Sequence, residues 1–203
     1  MNTSLNSLLI IIVVLCMAAP CLAQTYLVIG GNYTTVTDAQ LSLEPEFNTN
    51  PIIGLGRPLD LGNTLSLNLE STYTVRGFKV KGSFNDNGEF IPQANSNYRI
   101  HYLNLDPTID LKANKHLSII GGGYGSVKLL ETLNDLILED LELPLHRSID
   151  YGLTVGAKAF YQNYFLRLLV QRGLTNLLRD NPANLSYRNL NVQLVLGFTF
   201  SSH

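Results

Sequence analysis

The sequence predicts an all-β fold: an eight-stranded antiparallel up-and-down transmembrane β-barrel with short periplasmic turns and long extracellular loops. Three observations predict it. Apolar and polar residues alternate along most of the chain beyond residue 23, the period of a strand with two unlike faces. Connections between these segments alternate between tight turns and long loops, although a hairpin needs only about two to five residues. Beyond residue 23 no apolar run approaches the roughly 18 residues of a membrane helix, which excludes a polytopic helical protein. Composition closes two further classes. Hydrophobic residues make up 45% of the chain, too many for disorder. A net charge of −2 argues against a nucleic-acid partner, which needs a basic surface.

The chain begins with a 12-residue apolar run, 8–19, then Pro20 and the small-x-small site Cys21-Leu22-Ala23. That is the pattern of a secretory signal peptide cleaved after Ala23. The expected division is therefore 1–23 as signal peptide and 24–203 as barrel domain. Both cysteines lie in the leader, so the mature 180 residues (203 − 23) carry no disulfide, thiolate metal site or cysteine nucleophile.

The strands follow in order. Segments 25–37 and 51–59 are the first two, their phase blurred by glycine. Segment 64–77 sets Leu65, Leu67, Leu69, Tyr73 and Val75 against Ser66, Asn68, Glu70, Thr72, Thr74 and Arg76. Segment 103–112 sets Leu103, Leu105, Ile109 and Leu111 against Asn104, Asp106 and Asp110. Segment 116–128 is the fifth, with a glycine-rich stretch at 121–125 expected to face a crowded lumen. Segments 150–161 and 163–175 alternate cleanly, and 191–200 ends the chain with Val192, Leu194, Leu196, Phe198 and Phe200 on one face. Tight turns at 60–63, 112–115 and 161–163 define one end, and loops at 37–50, 81–96, 128–148 and 176–187 the other. An even strand number puts both termini on the turn end, the habit of outer-membrane barrels.

Alternation alone does not say which face meets lipid. Leu and Val dominate one phase, with Tyr73, Tyr151, Tyr161 and Tyr164 near strand ends as an interfacial girdle. The other phase is rich in Gly and Ser, which suit the narrow lumen of a small barrel. The expectation is apolar face out. The competing assignment, apolar face in, gives a soluble periplasmic ligand-binding barrel.

The stretch Gly152-Leu-Thr-Val-Gly-Ala-Lys-Ala-Phe-Tyr-Gln-Asn-Tyr-Phe-Leu-Arg167, then Gln171-Arg-Gly-Leu-Thr-Asn176, then Asn191-Val-Gln-Leu-Val-Leu-Gly-Phe-Thr-Phe200, resembles the PorT-like outer-membrane β-barrel proteins of Bacteroidota. The Gly-Leu-Thr-Asn strand end and the terminal Gln-Leu-x-Leu-Gly-x-x-Phe strand carry the resemblance over the last third of the chain. Gln171-Arg172 stands where the family commonly has an aromatic, and Ser201-Ser-His203 follows the terminal aromatic. The resemblance implies an eight-stranded barrel in the Gram-negative outer membrane, inserted by the assembly machinery through the strand ending at Phe200. It also implies no enzymatic activity.

Six charges fall on the inward phase: Glu70, Asp106 and Asp110 against Arg76, Lys158 and Arg167. Buried charges must pair, so these six are expected to form a network that plugs the lumen. Arg99 and Arg172 fall on the outward phase near the loop end and, with Lys79 and Lys81, are candidates to contact lipopolysaccharide phosphates. His116 and Ser118 share a strand face and Glu131 follows, the residue types of a lipid A-modifying hydrolase, but His116 adjoins a tight turn and Glu131 falls in an outer loop, most of the barrel height away. Leucines and acids across 129–145 follow a helical period and predict a short acidic helix in the third long loop. No metal-ligand cluster or phosphate loop is present, so no cofactor is expected. Function is thereby narrowed to a structural or interaction role through the outer loops, with an envelope or secretion complex as candidate partner. The alternatives are a lipid A-modifying enzyme or a small-solute channel.

Overall fold

The computed structural model describes residues 25–37, 45–84, 90–133, 136–137, 147–177 and 187–200. Its strands are β1 (Tyr26–Thr37), β2 (Pro45–Asp60), β3 (Leu65–Phe84), β4 (Phe90–Asn114), β5 (Leu117–Leu133), β6 (Leu136–Ile137), β7 (Ile149–Tyr161), β8 (Tyr164–Gly173) and β9 (Arg188–Thr199). Eight of them close into an antiparallel barrel in the order β1-β2-β3-β4-β5-β7-β8-β9, with β9 returning to β1. The two-residue β6 hangs on the far end of β5. Within the closed part every strand is paired on both sides, the one sheet arrangement hydrocarbon tolerates.

The register sets the tilt. Stepping across paired strands from Thr34 through Asn191, Gln171, Thr154, Gly122, Thr108 and Asn68 ends at Pro58. Pro58 lies two residues past Gly56, the partner of Tyr26, so one circuit climbs ten residues of β1 (34 − 24). Such stagger tilts the strands by roughly 35–45° and leaves room only for side chains inside. Pro107 has no N–H to give, and the β4–β5 ladder passes over it from Leu105 to Thr108 without losing register.

The apolar phase faces out. Leu105, Ile109, Leu153, Val155, Leu166, Leu168, Leu194 and Leu196 are exposed, while their neighbours Asn104, Asp106, Thr154, Arg167 and Gln193 are buried. This burial pattern is the reverse of a soluble barrel and answers the two-sided question that alternation left open. Tyr161, Tyr164 and Phe200 mark the outer face at the turn end. Tyr33, Tyr73 and Tyr151 mark it towards the loop end, with Phe47 stacked on Tyr33 at 4.2 Å.

The strand ends depart from the sequence expectations. β3 and β4 run on to Phe84 and from Phe90, so most of the expected loop 81–96 is a hairpin ribbon. β4 has 25 residues, where about 9–11 cross a bilayer. β2 begins at Pro45, inside the expected loop 37–50. β5 continues to Leu133 and pairs with β6, so 129–133 and 136–137 are strand where an acidic helix was expected. The rest of that helix, the leader 1–23 and the tail 201–203 lie outside the described residues. In the glycine stretch, Gly121 and Gly125 lie on the outward phase with open space before them, and only Gly122 and Tyr124 turn inward. The expected lumen-facing run is therefore mostly lipid-facing. The two-residue connection Gln162-Asn163 between β7 and β8 holds Gln162 at φ 54°, a conformation that favours Gly or Asn.

Inward glycines make space for inward rings. A Cβ on Gly56 would overlap the Tyr26 ring, and one on Gly197 would overlap the Phe165 ring. Gly197→Ala should destabilise the barrel by about 1–3 kcal/mol, the usual cost of overpacking. Adding Phe165→Leu should recover much of that loss in urea titrations followed by heat-modifiable gel migration. No recovery would mean that ring overlap is not the cause.

Candidate functional site: the closed lumen

The interior is layered from the turn end to the loop end. The base is apolar: Tyr26, Val28, Ile52, Phe165 and Val195 form one buried cluster, with Phe160 packed against it. Tyr26 and Phe165 meet edge to face at 5.3 Å. Lys158 projects into this base from β7, its ammonium 4.9 Å from the Phe165 ring centre and 5.5 Å from that of Phe160. It donates to Asp110 across the lumen, so the charge is neutralised while the rings enclose its stem.

Above the base Arg167 meets Glu70. Its two terminal nitrogens donate to the two carboxylate oxygens at 2.6 Å each, both residues being buried. A planar guanidinium fits a carboxylate in this two-point way and fixes both side chains. Next comes Asp106, which accepts from Gln171 Nε2 at 3.1 Å and from Thr72 Oγ1 at 3.3 Å. Gln171 is held in turn, its Oε1 accepting from Gln193 at 2.8 Å and Asn191 at 3.0 Å.

Arg76 occupies the next layer. Its guanidinium lies 4.6 Å from the Tyr124 ring centre and 5.2 Å from that of Tyr102. Nη1 donates to Asp150 Oδ2 at 2.9 Å, and the same oxygen accepts from Asn189 at 2.8 Å and Tyr124 at 3.0 Å. The loop end is closed by Val36, Phe78, Leu177 and Tyr187, with Tyr98 packed on them. Leu177 and Tyr187 come from the β8–β9 connection and are pinned there. Leu177 N donates to Tyr187 O at 2.8 Å, and Arg147 N donates to Leu177 O at 2.7 Å. Burial raises the Tyr187 phenol above its ordinary value, and the neighbouring Tyr98 adds to the rise.

The six charges expected in the lumen all point inward and are buried. Their pairing differs from the three-against-three arrangement. Arg76 is paired with Asp150, which sequence reasoning missed, and Lys128 with Glu131, so among the described residues five buried carboxylates face four cations. Asp106 is held by amide and hydroxyl donors, with no cation bonded to it among the described residues. Asp150 is the second residue of β7, where the alternation has barely begun. Its one readable signal is that position 150 shares the inward phase with Thr154 and Lys158.

The hydrolase residues are not brought together. His116 is exposed at the β4–β5 turn and Ser118 points into the base. Glu131, fourteen residues beyond Leu117 on the same strand (131 − 117), is paired with Lys128 at 2.7 Å. At about 3.3 Å per residue the span from Ser118 to Glu131 is over 40 Å along the strand. No base–nucleophile–orienter set forms there. The outward basic residues also separate. Lys79 and Arg99 sit on neighbouring strands β3 and β4. Arg172 lies on β8, between β7 and β9 on a different side of the barrel. Of Lys81 only the backbone is described.

Comparison with solved structures finds the same architecture. The chain is similar to Ail of Yersinia pestis, solved with the heparin analogue sucrose octasulfate, at 12% identity and a TM-score of 0.50 over 87% of this chain and 98% of that one. It is also similar to the Neisserial surface protein A, at 10% identity and a TM-score of 0.53 over 87% and 97% of the two chains. No curated protein sequence matches it. The model of the outer membrane protein beta-barrel domain matches residues 25–179. With that match and a closed, apolar-out eight-stranded barrel, the chain belongs to the outer membrane protein beta-barrel domain family and is a protein of the outer membrane.

Proposed function

We propose that this is a PorT-like barrel, made with a cleaved leader of residues 1–23, that acts as a structural or interaction protein without conducting solutes and without catalysing a reaction. The observation that carries the reading is the layered lumen. Two apolar clusters lie in series with buried ion pairs. A pore needs a continuous polar path, and both ends of this one are apolar. The work then falls to the loop end, where β2 to β5 extend beyond the length a bilayer requires and offer a tall wall to an envelope or secretion partner. The strand ending at Phe200 is the element the outer-membrane assembly machinery would engage. Planar-bilayer recordings test the reading: purified protein should give no steady single-channel steps, and their appearance would refute the plug.

Lipopolysaccharide contact belongs to the same proposal. Lys79 and Arg99 form one outward basic pair, which Lys81 adjoins in sequence, and Arg172 is a separate site. A cation near the interface costs only about 0–1 kcal/mol, and lipid A phosphates lie at that level. Lys79→Gln/Arg99→Gln should carry several-fold less lipopolysaccharide through purification than the parent. Equal co-purification would remove the idea.

A further inference from the structure

We propose that the barrel binds one anionic glycerophospholipid of the periplasmic leaflet, its acyl chain in a groove beside the β7–β8 turn and its phosphate on the β4–β5 turn. The groove is an open cavity of about 210 Å³ whose lining takes in Ala159, Tyr161, Tyr164, Leu166 and Leu196 on the outward face with Phe160 and Phe165 behind them, and no charged residue. Its origin is local. On the outward row at this height Ala159 stands between Leu117 of β5 and Leu166 of β8, so one small side chain between two large ones leaves a dent. Tyr161 and Tyr164 face each other across the turn and rim the dent, both exposed, where a phenol meets the headgroup layer.

The second observation is charge. The neighbouring turn carries Lys115 and His116, both exposed. It lies directly against the end of β7, where Phe160 N donates to His116 O at 2.8 Å. A lysine on the turn that abuts β7, the strand carrying Ala159 and Tyr161 of the groove, lets one anionic phospholipid meet both parts at once. The chain enters the dent, and the phosphate reaches the ammonium. Acyl chains already surround the barrel, so the groove costs the lipid little ordering, while the turn supplies the selection by headgroup. A second copy of the barrel fits less well, because Tyr161 and Tyr164 stand proud of the dent and a flat β wall does not reach its floor. The site lies at the end opposite Lys79, Arg99 and Arg172, so it stands independently of the lipopolysaccharide contacts.

The test uses the whole barrel in nanodiscs of equal parts phosphatidylethanolamine and phosphatidylglycerol, released into mild detergent and weighed by native mass spectrometry. The parent should keep one phosphatidylglycerol molecule in preference to phosphatidylethanolamine. Lys115→Gln should lower that preference about fivefold, the effect of one cation near an anionic headgroup. Ala159→Leu fills the dent and should reduce retention of either lipid, whereas Arg172→Gln should change nothing. Equal retention of the two lipids by the parent, or parent-like retention by Lys115→Gln or Ala159→Leu, would overturn the proposal. Heat-modifiable migration of each variant confirms that a loss of lipid is not a loss of fold.

Discussion

Arg167→Met should destabilise the barrel by about 3–5 kcal/mol, the cost of leaving one partner of a buried ion pair without the other. The lost partner is the two-point contact with Glu70, made at 2.6 Å on both sides and buried. Glu70→Leu alone should cost a comparable amount, because the guanidinium then has no carboxylate beneath it. The double variant Glu70→Leu/Arg167→Met should sit well above either single one, since two apolar side chains of similar volume replace a neutral pair and neither leaves a charge behind. Urea titration in detergent micelles, read by heat-modifiable migration, gives the three midpoints and the coupling between the sites. Strictly additive losses would show that Glu70 and Arg167 are stabilised separately by their surroundings. The neighbouring Lys158–Asp110 pair provides an internal control, because its partners are untouched in all three variants.

How much of this was readable in the sequence follows from which physical demand each residue meets. Within the bilayer every outward position must be apolar and the backbone must pair, so alternation is strict. Leu67, Leu153, Leu166 and Leu196 accordingly fall outward as expected, and Glu70, Lys158 and Arg167 inward. Above the bilayer that demand vanishes. β3 and β4 then continue for several residues with no apolar stripe to mark them, and the expected loop turned out to be ribbon. Over the described part of the expected helix, 129–133, the helical period misled for a related reason. Leu129, Leu130 and Leu133 are spaced as a helix face, but the chain steps past Leu129 at an irregularity in the β4–β5 ladder, and this shifts the phase of the strand. The apolar ends of the lumen were missed because they break the inward-polar rule. Phe160, Phe165 and Val195 sit on the polar phase as isolated exceptions, and only the register shows that they meet. Leu177 and Tyr187 lie outside any strand, so no periodicity could place them in the mouth.

The second large effect is expected at Arg76, which has no exposed surface and bridges β3 to β7 through Asp150. Arg76→Leu should again cost about 3–5 kcal/mol, because Asp150 is left as a buried charge without its cation. Asp150→Asn in the same chain should return part of that loss, since Tyr124 and Asn189 already donate to this oxygen and remain to satisfy it. Arg76→Lys separates charge from shape. It keeps the cation but forfeits the planar contact with Tyr102 and Tyr124, so it should fall between the parent and Arg76→Leu. Conductance should not follow stability through this series. Closures in series pass current only when all are open, and Arg76 lies between the Phe78–Leu177–Tyr187 cap and the Tyr26–Phe165 base. Arg76→Leu should therefore remain electrically silent in planar bilayers although it unfolds at lower urea. Small residues at Tyr187 and Phe165 in the same chain would still leave the Glu70–Arg167 and Lys158–Asp110 pairs in series, so that chain should stay silent as well. Steps from Arg76→Leu alone would mean that the two apolar layers do not seal, and the lumen would then be a pore held shut by one arginine.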